Sequence, residues 1–117
     1  MSTYKQNYIV ASEKYFQLFD ENNLDGLKEI YDTKIHLIDW NGEWKGKESV
    51  LAMNEDLFKS KPKVKVLEII QVDKEADSLQ RTYCKIEITI GDTTLKVMDV
   101  IDWTDKFKIA KIEAFNG

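Results

Sequence analysis

The residue in this sequence best placed to do chemistry is Asp99, in the stretch Thr94-Leu-Lys-Val-Met-Asp-Val-Ile-Asp-Trp103. Side chains two apart on a strand point to the same side, so Leu95, Val97, Ile101 and Trp103 surround Asp99 with apolar neighbours. A lone charge buried on such a face is costly. The carboxyl group must therefore be partnered, protonated or functional. As an ion it can accept a proton; as a neutral acid it can donate a hydrogen bond to developing negative charge.

Few other residues carry reactive chemistry. Cys84 is the only cysteine; it lies in an apolar strand pattern and reads as a small core residue. His36 is the only histidine, and one histidine with one cysteine does not make a zinc site, so neither metal nor cofactor is expected. Arg81, the only arginine, starts a strand with no acid spaced to pair with it. The net charge of −4 argues against nucleic acid as a general partner, because phosphate binding needs a concentrated basic surface.

The elements that must position Asp99 follow from periodicity. Residues 3–20 place Tyr4, Tyr8, Ala11, Tyr15, Leu18 and Phe19 in one helical stripe. Asp20-Glu-Asn-Asn23 breaks that helix and offers caps for a short second one carrying Leu24, Leu27, Ile30 and Tyr31. Residues 34–40 alternate as a strand, with Ile35, Leu37 and Asp39 on one face and His36, Ile38 and Trp40 on the other. After the Asn41-Gly42 turn, a third helix runs from Lys47 to about Ser60, with Val50, Met53, Leu57 and Phe58 as its apolar positions. Past Pro62, strands are expected over 64–72, 81–90, 93–104 and 107–115, with turns at 74–78 and Gly91-Asp92.

This is one α+β domain spanning residues 1–117, with helices gathered on one face of a curved, mostly antiparallel sheet that encloses a pocket. No apolar run is long enough to cross a membrane and no signal-peptide core is present, so a cytoplasmic protein is expected. Met98 and Val100 face away from Asp99, and apolar residues on the outer face of such a sheet predict a homodimer through it.

The order of elements, together with Asp-Val-Ile-Asp-Trp103 and Lys-Ile-Ala-Lys-Ile-Glu-Ala-Phe115, resembles the NTF2-like superfamily, and within it the SnoaL-like and ketosteroid-isomerase-like proteins. The resemblance runs from about Tyr15 to Phe115. It implies an NTF2-like cone of three N-terminal helices on a strongly curved mixed sheet. Ketosteroid isomerase, a worked case of pKa tuning, uses an aspartate base with a tyrosine and a protonated aspartic acid as its oxyanion hole. Tyr15, Asp39 and Asp99 match the tyrosine, the base and the neutral acid, and Tyr31 matches a further tyrosine near the pocket. Two carboxyls in one apolar cavity resist double ionisation, which would leave one as base and the other as donor. In a SnoaL-type cyclase the hairpin aspartate is itself the base, so Asp99 could take that role.

The expected pocket wall is Tyr31, Trp40, Trp44, Ile86, Val97, Ile101, Trp103 and Ile112, with Trp40 and Trp44 either lining the mouth as a lid or resting on the third helix. Several positions depart from the isomerase pattern. Asn54 stands near where a supporting tyrosine is expected, Trp40 follows Asp39 where proline is expected, and Asn116 replaces a bulky aromatic residue. These narrow the ligand to a small hydrophobic molecule, a ketone among the candidates, below steroid size. The implied activity is isomerisation, cyclisation or dehydration next to a carbonyl. The alternative is a non-catalytic ligand-binding or dimeric association module. Epoxide hydrolysis is disfavoured, since it needs an aspartate–arginine–aspartate relay and Arg81 lacks an acid at the right spacing.

Overall fold

The computed structural model describes residues 3–73 and 80–117, with side chains over 8–72 and from residue 80 onward. The Tyr4 side chain and the 74–78 turn lie outside the described residues. Three helices, α1 (Thr3–Asp20), α2 (Leu24–Ile30) and α3 (Lys47–Phe58), accompany six strands. The strands are β1 (Tyr31–Asp39), β2 (Gly42–Lys45), β3 (Lys63–Asp73), β4 (Gln80–Ile90), β5 (Thr93–Trp103) and β6 (Ile109–Asn116).

The strands form one open sheet in the order β2-β1-β6-β5-β4-β3. β1 runs parallel to β6 and every other pairing is antiparallel. Register shifts at Tyr31/His36, Val66/Glu68 and Asp102/Trp103 interrupt the ladders. Such irregularities bend a strand and raise its twist, which is how a flat meander becomes a trough.

Local chemistry sets the helix ends. The Asn23 side chain accepts from the Gly26 backbone N–H at 2.9 Å and caps α2. The Asp20 carboxylate accepts from the Val64 N–H at 2.8 Å instead, tying the end of α1 to the start of β3. Tyr31, read from the sequence as the end of α2, opens β1. The short strand β2 was not foreseen; its four residues, Gly-Glu-Trp-Lys, are too few and too exposed to carry a strand signal.

Alternation decides the two faces. Along β5, Val97, Asp99 and Ile101 are buried on the helix side while Met98 and Val100 turn outward. The core beneath the helices holds Leu27, Tyr31, Ile35, Val50, Ile86, Ile101, Trp103, Ile109 and Ile112, all at most 2% exposed. At the end of the trough away from Asp39, Ser12 on α1 donates to the Tyr8 carbonyl at 2.8 Å and meets the Thr82 hydroxyl at 2.9 Å. Thr82 in turn accepts from the Trp103 indole N–H at 3.1 Å. Three buried polar groups are thereby satisfied with no water, and α1 is pinned to the sheet.

Register also places Ile38, Ile70, Tyr83, Val100 and, one pair along, Met98 and Phe115 on the outer face. Ile70 and Phe115 are each half exposed there.

Candidate functional site

Tyr15, Asp39 and Asp99 line one cavity of about 390 Å³. That is at the small end of the range for ligand pockets, roughly 300–1,000 Å³. Each side chain arrives on a different element. Tyr15 lies in the buried stripe of α1, between Phe16 and Phe19, with ring centroids 4.8 and 6.0 Å from its own. Asp39 ends β1, and Asp99 sits at the centre of β5 opposite Ala114 on β6. The single strand β6 separates the two acid-bearing strands.

Asp39 is half-buried and held by the turn it precedes. One carboxylate oxygen accepts from the Asn41 N–H at 2.7 Å and the Gly42 N–H at 3.1 Å. This is the local bonding by which Asp initiates turns. Asp99 is 7% exposed and has no side-chain hydrogen bond among the described residues. Burial pushes its carboxyl up to about 7, and the nearby Asp39 charge pushes the same way. The two acids therefore interact, and Asp99 is poised to carry a proton near neutral pH.

The phenols sit in the same low-dielectric environment. Burial holds the Tyr15 hydroxyl well above the usual phenol range, and the Tyr31 hydroxyl and Asp99 add to the effect. Burial also raises Tyr31, against an opposing influence of the neighbouring Tyr15 hydroxyl. Tyr31 donates to Asn54 Oδ1 at 2.6 Å. The Tyr15 hydroxyl lies near this Tyr31–Asn54 pair.

Of the expected wall residues, Trp40, Trp44, Val97 and Ile112 line the cavity, with Trp40 exposed at its mouth. Tyr31, Ile86, Ile101 and Trp103, also expected in the wall, stand outside the lining. They share the correct face but lie too deep. Trp103 is held by Thr82 and Tyr31 by Asn54, and Ile86 and Ile101 are 1% and 0% exposed. The wall also includes Phe19, Leu37, Met53, Asn54, Leu57, Ile88, Ile90, Leu95 and Ala114, with Asn41, Asp56 and Ser60 as polar members. Leu95 shares Asp99's parity, and Met53 and Leu57 were recognised as apolar positions of α3, so their signal was present. Asn116 is exposed and does not line the cavity.

Arg81 has the acidic partner that sequence spacing did not reveal. Its Nε donates to Asp102 at 2.7 Å and its Nη2 donates at 3.1 Å, a two-point pair across β4 and β5. Neither residue lines the cavity, so the pair offers no relay there. His36 meets Glu43 at 2.7 Å on the strand face opposite Asp39. Among the described residues, no group of three His, Cys, Asp or Glu side chains could hold a metal, and no helix is long and apolar enough to cross a membrane. A larger open groove of about 860 Å³ lies against α2 and α3, but its lysines and acids are surface residues of mixed sign.

Three helices over a mixed six-stranded trough, with a cavity between α1, α3 and the sheet, make an NTF2-like fold. The chain belongs to the SnoaL-like domain family, whose match spans residues 12–112. Among solved structures it is similar to an NTF2-like protein of unknown function from Pseudomonas putida, at 11% identity and TM-score 0.83 over 98% of this chain and 87% of that one. A candidate ketosteroid isomerase from Kribbella flavida matches at 11% identity and TM-score 0.81, over 97% and 79% of the two chains. SalBIII, an epoxide hydrolase/cyclase-like enzyme with a role in pyran-ring formation in the polyether salinomycin, matches at 14% identity and TM-score 0.77, over 97% and 92%. These identities speak for the fold alone. No curated protein matches the chain.

Proposed function

We propose that this protein binds a small hydrophobic carbonyl compound and shifts a proton next to the carbonyl, with Asp39 as base and Asp99 as the acid facing the oxygen. The supporting observation is that two carboxyls from different strands share one largely apolar cavity, and one of them is held near the protonated form at neutral pH. In the step proposed, the Asp39 carboxylate removes a proton from the carbon beside the carbonyl. The electrons pass into the enolate oxygen, which accepts a hydrogen bond from protonated Asp99. Asp39 then returns the proton to the far carbon of the allylic system, and the double bond has moved into conjugation. Tyr15 lines the same cavity. Isomerisation needs no co-reactant; cyclisation and dehydration are variants of the same enolate chemistry.

The test is conversion of 3-cyclohexen-1-one to its conjugated isomer, followed by absorbance. Asp39→Asn should abolish turnover, and wild-type kcat/KM should fall as pH rises through about 7, where Asp99 loses its proton. Absence of turnover across a panel of unsaturated ketones, with binding retained, would leave a ligand-binding module in its place.

The outer sheet face carries a second proposal, a homodimer through the sheet. Ile70, Val72 and Phe115 are each 42–50% exposed on that face, beside Tyr83, Met98 and Val100. Light scattering giving only monomer mass at tens of micromolar would exclude it.

A further inference from the structure

The buried polar side chains of the cavity wall are Tyr15, Asn54 and Asp99. Asn54, on α3, is 1% exposed. Its two ends are used unequally. Oδ1 accepts from the Tyr31 hydroxyl at 2.6 Å, which fixes the carbonyl end of the amide toward Tyr31. Nδ2 carries two hydrogens, and its partner among the described residues is the Met53 sulfur at 3.9 Å. A thioether is a weak acceptor, and a buried N–H without a good acceptor is rare enough to need a reason. The Tyr15 hydroxyl lies near that of Tyr31, at the end of this pair away from the amide hydrogens. The Tyr31 proton is spent on Asn54, which leaves the amide hydrogens as the unspent ones.

We propose that the Asn54 Nδ2 hydrogens are the second hydrogen-bond donor of the cavity besides the Asp99 carboxyl, placed to receive the carbonyl oxygen of a small ketone or enone, while Tyr15 orients the Tyr31–Asn54 pair. This rests on the carbonyl-binding reading above and names a donor that reading does not contain. It also explains why an amide stands where a phenol was expected. An asparagine accepts from Tyr31 through one end and still offers two hydrogens at the other.

The experiment titrates ¹⁵N,¹³C-labelled protein with 1-indanone, whose oxygen only accepts, and with indane, the same ring skeleton without the oxygen. Both compounds should shift the methyl signals of Leu95 and Val97. Only 1-indanone should shift the Asn54 side-chain amide signals. A net hydrogen bond of ordinary strength makes the wild-type protein hold 1-indanone roughly threefold to tenfold more tightly than indane. Tyr15→Phe should keep that preference, and Asn54→Leu added to Tyr15→Phe should cut it to the part that the Asp99 carboxyl supplies. The combined variant is compared in the Tyr15→Phe background because Tyr31, deprived of its acceptor, could otherwise turn the Tyr15 proton toward the ligand. If 1-indanone moves Leu95 and Val97 but leaves the Asn54 amide signals in place, or if Tyr15→Phe alone abolishes the preference, the assignment to Asn54 is overturned and the carbonyl-binding cavity survives. If neither compound moves Leu95 or Val97, both fall. Should the variants fail to fold, the wild-type amide signals decide.

Discussion

Replacing Asp99 with asparagine should make the protein more stable, and only above mildly acidic pH. The folded carboxyl is raised from 3.8 to about 7, chiefly by burial and then by the Asp39 charge. A raised acid binds its proton more tightly in the folded than in the unfolded chain. Stability is therefore highest below the unfolded pKa and is lost as pH rises through the folded one. The shift of about three units corresponds to about 4 kcal/mol, at 1.36 kcal/mol per unit. Asp99→Asn keeps the shape and removes the titration, so the stability gained over wild type should be independent of pH below about 4. It should grow between about pH 4 and pH 7 and level off above that, with a total rise of about 4 kcal/mol. Urea unfolding of both proteins at pH 4, 5.5, 7 and 8.5 measures this difference, and titrations common to the two cancel. The ¹³C signal of the Asp99 carboxyl gives its midpoint directly. Asp39→Asn should lower that midpoint yet leave it well above 3.8, because burial is the larger cause. A midpoint near 4, or a stability difference that is flat with pH, would refute the burial argument and remove the acid from the proposed chemistry.

Other expectations are simpler to check. Asn23→Ala removes the α2 cap to the Gly26 N–H and should cost about 1 kcal/mol in urea unfolding, whereas Asn23→Asp should cost little. Arg81→Leu leaves the Asp102 carboxylate, 5% exposed, without its two-point partner. It should destabilise by about 1–3 kcal/mol, while the double variant with Asp102→Leu should recover part of the loss. Burial pushes the Cys84 thiol up to about 12, so a thiol reagent at pH 8 should modify the native protein only as fast as it opens.

Asp99 was legible from parity alone, because a strand's two-residue period assigns its face without reference to any other element. The face of Asp39 followed in the same way, and so did the apolar stripe of α1. Depth was not legible. Parity put Ile86, Ile101 and Trp103 on the cavity side of the sheet, but how far each lies from the mouth depends on where α1 crosses, and that is set by the contact of Ser12 with Thr82. Pairing was not legible either. Arg81 and Asp102 are 21 residues apart and meet only through the β4–β5 register. β2 escaped notice because four residues cannot display a period, and Tyr31 because an apolar residue three or four positions after another suits the end of a helix as well as the start of a strand. Asn54 was visible only as a departure from a resembling pattern; the direction of its amide required its partners.

The parallel pairing of β1 with β6 has a consequence for how the molecule comes into being. β6 follows every other strand in sequence yet lies near the middle of the sheet, with β1 and β2 on one side and β5, β4 and β3 on the other. Until it is laid down, the strands can form only a two-stranded ribbon bearing Asp39 and a three-stranded meander bearing Asp99, with no strand pairing to hold one against the other. Ending the chain before residue 109 should leave these as two halves, with the meander's apolar edge uncovered. Joining strands so distant along the chain also makes folding slow relative to its size. The two acids become neighbours in the same event that completes the sheet, so a chain caught before that step has neither a cavity nor a raised Asp99. The titration midpoint of Asp99 is thus also a reporter of whether the last strand has found its place.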